Sequence, residues 1–219
     1  MSTVSVVLRL LALSVVSLLP TVVTAASLEL RLTDQDGNAV DDAVLYVSQV
    51  NGQTAPVAPQ QVSVDQVNEA FVPHVRAITT GSSVLFPNSD HIRHHVYSFS
   101  PAKAFELPLY IGVPAAPVTF DTAGLVTLGC NIHDHMLGYI LVLDTPWYAE
   151  VTAGAARIDD LPAGELVVGL WHPRLVGGQA LQLKAQTADK GETLLQQQVE
   201  LLPERKVRRA PRRGGGNRY

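Results

Sequence analysis

GCNIHDHMLGYILV, residues Gly129 to Val142, decides how the rest of the chain is read. It holds the only cysteine, Cys130, and the only methionine beyond Met1, Met136, with His133 and His135 between them. Thiolate and thioether are soft, polarizable donors, and imidazole is the intermediate donor that suits copper. Three donor types fall within seven residues, between apolar runs at Leu125–Leu128 and Tyr139–Leu143. A loop this short between two strands aims its donors at one point. The set still lacks a ligand, because a trigonal copper site combines two imidazoles and one thiolate with a weak axial sulfur. The cluster DHIRHHVYS, Asp90 to Ser98, is the source of the missing imidazole.

The beginning of the chain reads as an address. Arg9 precedes an apolar run from Leu10 to Val23, and Val23-Thr24-Ala25 or Thr24-Ala25-Ala26 offers a small-residue cleavage site. That is a secretory signal peptide over residues 1–26. The run is short for a membrane span and contains Pro20. The predicted location is periplasmic or otherwise exported, an oxidising setting. A thiol with no partner in the chain is oxidised there unless something occupies it, and a bound metal would do so. The alternative is an inert buried cysteine, which the neighbouring histidines and methionine outweigh.

Charge narrows the function classes. The chain has 16 Lys and Arg against 20 Asp and Glu, but Arg9 and seven cations after Glu204 lie outside the body. Residues 27–203 keep 8 cations and 19 acids, a net charge near −11. An acidic globule with a basic tail does not bind nucleic acid through its body.

The body reads as all-β. Leu28 to Leu32 alternates apolar and polar, Asp34-Gln35-Asp36-Gly37 is turn chemistry, and Ala43–Val47 is a second run. This predicts an opening hairpin. Further runs fall at Val62–Val64, Val75–Ile78, Val84–Phe86, Val96–Phe99 and Val118–Phe120, and beyond the Cys130 segment at Leu166–Trp171, Leu181–Leu183 and Leu194–Leu201. Gly and Pro punctuate the gaps, and no window sustains a helical stripe. Many short strands at this spacing mean a sandwich or barrel.

Residues 60–145 resemble the cupredoxin family, the small blue-copper Greek-key sandwiches. The likeness rests on Thr80-Gly81-Ser82 turning into Val84-Leu85-Phe86, on Asn88 in the following loop, and on His94-His95-Val96 as a first-ligand setting. Its most specific part is Cys130-x2-His133-x2-Met136 followed by Gly138-Tyr139-Ile140-Leu141-Val142, with the loop length of amicyanin. The resemblance implies one copper ion, Cu(I)/Cu(II), held by His94, Cys130, His133 and Met136. His94 and His95 point to opposite faces of an extended strand, and alternation alone does not choose between them; the motif favours His94. Where many cupredoxins have Asn after the first histidine, this chain has His95, so the usual brace of the cysteine loop is missing. His91, His95 and His135 are read as surface residues, with an all-histidine second site as the alternative. His74 and His172 stand alone and read as structural or solvated.

The flanks, residues 27–59 and 146–203, resemble a second small sandwich of the transthyretin-like, carboxypeptidase-regulatory type, through the opening turn and Leu161-Pro162-Ala163-Gly164-Glu165. The copper unit is then inserted into, or packed on, that sandwich. Residues 204–219 form a basic tail read as disordered, suited to an acidic partner, the acidic body or an anionic membrane surface. Proteins of this layout resemble those described as methylamine-utilisation proteins, although no residue in the chain speaks of amines. A closed set of two imidazoles, thiolate and thioether leaves no position for substrate. The expected function is therefore one-electron transfer to transient redox partner proteins by a non-enzyme. A copper carrier is the alternative, and a structural β-protein with a degenerate site is a third reading.

Overall fold

The computed structural model describes residues 26–114 and 116–204, so the signal-like segment and nearly all of the basic tail lie outside the described residues. Every regular element among them is a strand. In chain order these are β1 (Ala26–Thr33), β2 (Val44–Val50), β3 (Gln61–Ser63), β4 (Asp65–Val67), β5 (Ala70–Val72) and β6 (Val75–Thr79). Next come β7 (Ser82–Leu85), β8 (His94–Ser100), β9 (Lys103–Tyr110), β10 (Val118–Phe120), β11 (Gly124–Gly129) and β12 (Leu137–Leu143). The last are β13 (Tyr148–Glu150), β14 (Ala155–Leu161), β15 (Gly164–Trp171), β16 (Leu181–Thr187) and β17 (Gly191–Gln198). The chain is all-β.

The two ends of the chain build one sandwich. A sheet ordered β14-β1-β17 faces one ordered β13-β2-β15-β16. Alternation on β1 sends Leu28, Leu30 and Leu32 inward, where they meet Leu45 and Val47 of β2 and Leu166, Val168 and Leu170 of β15. The opening run is not a hairpin: β1 pairs with β14 and β17, and β2 pairs with β13 and β15. The turn itself forms, with Asp34 Oδ1 accepting the amides of Asp36 and Asn38 at 2.9 Å each. The apolar faces of both strands must reach the same core, and placing the strands in opposed sheets buries both.

The middle of the chain builds a second core. A five-stranded sheet ordered β6-β12-β11-β8-β9 lies with a three-stranded sheet ordered β10-β7-β3 and the β4–β5 hairpin. Phe71, Phe86, Phe120, Val126, Leu128 and Ile140 fill it, and Cys130 and Met136 close one end. Strand β9 was not foreseen from the sequence, although Phe105 and Leu107 alternate with Glu106 and Pro108 and pack against this core. It holds Pro108 at the sheet edge, where a missing amide is tolerated.

Strands β2 and β12 are each buried on both faces. Val44 of β2 and Leu141 and Leu143 of β12 join Val75, Ala77 and Trp171 in a third cluster, the seam between the two cores. Tyr139 meets Trp171 edge-on, ring centroids 5.6 Å apart. The next residue, His172, is buried beside this seam. Burial first, then the charges of Arg174 and His74, hold its imidazole down at about 4 from an ordinary 6.5. The unfolded chain takes up that proton more readily, so this contribution is complete above about pH 6.5 and is lost as the pH falls toward 4. Urea titrations of metal-free protein should show His172→Gln losing less stability between pH 7 and pH 4.5 than the parent, by about 1–2 kcal/mol after allowance for solvent screening. Equal losses would contradict this account.

Candidate metal centre

Strands β11 and β12 run antiparallel with Gly129 opposite Leu137, which makes Cys130 to Met136 the connecting loop of their hairpin. The strands turn Val126, Leu128, Ile140 and Val142 inward, and the loop continues the pattern by burying Cys130 and Met136 in the same cluster. Two amides tighten the loop: Met136 N donates to His133 O at 2.9 Å and Leu137 N to His135 O at 3.1 Å. Space is tight at both ends. A Cβ on Gly129 would lie 2.8 Å from the Tyr97 ring, and one on Gly138 would lie 2.8 Å from Phe71 Cβ.

The neighbouring strand β8 supplies the missing imidazole. Tyr97 pairs with Gly129, which sets the start of β8 beside the start of the loop. His94 is fully buried there. Its Nδ1 lies 3.8 Å from Cys130 Sγ, and His133 Nδ1 lies at the same 3.8 Å on another side. All three donor atoms fall within 4.8 Å of one another. With metal bonds of about 2.3 Å to thiolate and about 2.0 Å to imidazole at trigonal angles, nitrogen and sulfur on one ion stand about 3.7 Å apart. The spacing found here therefore suits a shared ion. The group contains no carboxylate, and the Met136 thioether is buried in the same cluster as the thiol. A soft set of this kind fits copper.

The other ring nitrogen of His94 is held firmly. Nε2 lies 2.7 Å from Asp90 Oδ2, and the same carboxylate accepts the amides of Asn68 and Glu69, the latter at 2.9 Å. Burial pushes the Asp90 carboxyl up. The Glu69 amide, the His94 ring and the Asn68 amide more than offset this and hold it below the ordinary carboxylate range. An ionised carboxylate only accepts, so His94 carries its proton on Nε2 and turns a bare Nδ1 lone pair toward Cys130. Asn68 and Glu69 are the tip of the β4–β5 hairpin, with φ of 54° and 60°, as the tight turn of a two-residue hairpin loop requires. From the same tip, the Glu69 carboxylate lies 3.2 Å from His135 Nε2. One turn thus holds both the loop before His94 and the Cys130 loop. Asn88 secures the loop before His94, donating through Nδ2 to Ile92 O and Tyr110 O at 2.9 Å each.

Solved structures similar to this chain include cupredoxins. A purple cupredoxin from Nitrosopumilus maritimus is 21% identical over 37% of this chain and 97% of its own, with a TM-score of 0.33. A reduced single-site variant of amicyanin is 22% identical over 47% of this chain and 99% of its own, with a TM-score of 0.35. A copper-containing nitrite reductase from Thermus scotoductus SA-01 is 27% identical over 43% of this chain, with a TM-score of 0.35, and the match spans 24% of the reductase. No protein-family model and no curated protein matches the chain.

The remaining histidines do not gather into a second site. His95 turns to the other face of β8, where Nε2 lies 2.8 Å from Glu106 Oε1 on β9. His91 is exposed, His135 meets Glu69, and His74 packs edge-on against Tyr139 at 5.3 Å. Among the described residues, His94, Cys130 and His133 form the only group of three close metal-ligating side chains drawn from His, Cys, Asp and Glu. Sequence reading gave no role to Asp90, Asn68 or Glu69, and used Asn88 only as part of the family likeness. A visible signal was Asn68-Glu69 between two short apolar runs, which is turn chemistry.

Removing the Asp90 carboxylate strands a buried imidazole N–H and two turn amides. Asp90→Ala should destabilise metal-free protein by about 1–3 kcal/mol in urea unfolding, and Asp90→Asn should recover part of that loss. An unchanged midpoint in Asp90→Ala would show that the carboxylate does not hold the site.

Proposed function

We propose that this protein is an exported type 1 copper protein that transfers single electrons, with His94, Cys130, His133 and Met136 holding one ion that alternates between Cu(I) and Cu(II). The observation that carries the reading is the convergence of His94 Nδ1 and His133 Nδ1 on Cys130 Sγ, each at 3.8 Å. Export is supported by the signal-like pattern of residues 1–26.

Bound copper would supply a one-electron couple. Cys130 contributes the thiolate, and its burial keeps water and oxidants from the sulfur. Asp90 fixes the tautomer and direction of His94, so the donors need little rearrangement when the charge of the site changes. Met136, buried in the same cluster as the thiol, would add a weak donor, and such a set would leave no open position for a substrate. His133 is half-buried beside Ile132, an exposed side chain of the same loop. That end of the unit is where a redox partner protein would approach, through the small, transient contact that fast exchange requires. His95 and His135 each face a carboxylate, Glu106 and Glu69, and so add no second set of donors that would favour copper carriage.

Loading purified protein with Cu(II) should produce an intense visible thiolate-to-copper absorption. Cys130→Ser should abolish it and His94→Ala should abolish or strongly shift it, while His95→Ala should leave it in place. A colourless copper complex, or a band indifferent to Cys130→Ser, would overturn the proposal.

A further inference from the structure

A cleft of about 810 Å³ opens beside the Cys130 loop, on the side of the seam. Asp134, His135 and Leu137 of the loop form part of its wall, and residues of the first sandwich form most of the rest. The wall is strongly acidic. It carries the carboxylates of Asp34, Asp41, Asp42, Asp134 and Glu204 against one guanidinium, Arg174. Asp34 and Asp41 accept backbone amides, of Asn38 and Ala153 respectively. Arg174 is engaged too, its Nη1 donating to Leu202 O at 3.1 Å. Asp42, Asp134 and Glu204 are exposed and have no cationic partner among the described residues. Three carboxylates left in this state along one cleft favour a ligand that brings several positive charges.

A buried donor in the same wall narrows the chemistry. His172 is 5% exposed. Its Nδ1 accepts the Arg174 amide at 3.0 Å, so the ring carries its proton on Nε2, which has no partner among the described residues. A bare cation or an alkyl polyammonium offers that N–H no acceptor. A peptide bearing Lys or Arg offers cations to the carboxylates and carbonyl oxygens to the imidazole. The imidazoles and carboxylates of the cleft also do not come together as a metal-binding group. The volume takes a short stretch of extended chain.

We propose that this cleft is the docking site for an extended, cation-bearing segment of a partner protein, which seats that partner against the Cys130 loop. That the partner is a redox protein rests on the copper reading. The docking itself requires no metal, and its test uses metal-free protein.

The probe is the peptide acetyl-Lys-Gly-Lys-Gly-Lys-amide, titrated into the ¹⁵N-labelled full chain. Amides at Asp41–Asp42, Asp134–Tyr139, His172 and Arg174 should shift and saturate, while those of β16 stay in place. Salt at about 1 M, where screening reaches about 3 Å, should remove the shifts. Asp42→Asn with Asp134→Asn should weaken binding about fivefold, the loss expected of two exposed ion pairs. His172→Leu should weaken it by about the same factor through the lost hydrogen bond. Spermidine, with as many cations and no carbonyl, should bind less tightly than the peptide and be indifferent to His172→Leu. Cleft amides that do not move, or that move equally in the double Asn variant, would overturn the proposal. Spermidine binding as tightly as the peptide would overturn it as well, leaving a site for polycations of any kind. So would cleft amides that move, with no peptide present, when the seven cations after Glu204 are changed to Gln. The occupant would then be the chain's own end.

Discussion

A carboxylate that grips one imidazole from behind determines how the candidate centre is built. Asp90 accepts a hydrogen bond from His94 Nε2–H at 2.7 Å, and only then does Nδ1 face Cys130 with a bare lone pair. Without that contact, a buried histidine beside a buried thiol would have no reason to hold one ring orientation. The contact depends in turn on a hairpin tip far away in sequence, since Asn68 and Glu69 present their amides to the same carboxylate. Glu69 then reaches across to His135 in the cysteine loop. The two loops that carry the donors are thus positioned by one turn that carries none of them.

Packing reinforces the same arrangement. The cysteine loop is short because β11 and β12 run in register to its base, and its glycines are short of space on both sides, against Tyr97 and Phe71. Phe71 belongs to the strand just after the Asn68–Glu69 turn, so that hairpin supports the centre through its core residue as well as its tip. On the outer face of β12, Tyr139, Leu141 and Leu143 belong to the seam with the other sandwich. The strand that ends the Cys130 loop is therefore packed on both faces.

Much of this was legible in the sequence. The soft donors at Cys130, His133 and Met136 stand out because each sulfur type occurs once in the body, and the apolar runs around them have strand periodicity. The choice of His94 over His95 rested on the family likeness and not on alternation, because two adjacent residues on a strand are equivalent until the neighbouring strands are placed; β11 on one side and Glu106 of β9 on the other separate them. The predicted hairpin at Leu28–Val47 failed for a related reason. Turn chemistry at Asp34–Gly37 fixes a local reversal but does not say which sheet the chain enters next. Asp90 lay in plain view as a polar loop residue, and only the distant hairpin tip gives it a role. The cleft lined by Asp34, Asp41, Asp42, Asp134 and Glu204 could not be read at all, since its carboxylates come from three widely separated segments of the chain.

The central claim is that nitrogen and sulfur from three separate positions meet on one ion. X-ray absorption at the copper edge of the loaded protein tests this most directly, since it counts and types the atoms bound to the metal. The account predicts one short sulfur and two imidazole nitrogens, with the sulfur lost in Cys130→Ser. A shell of nitrogen and oxygen alone in the unaltered protein would contradict it.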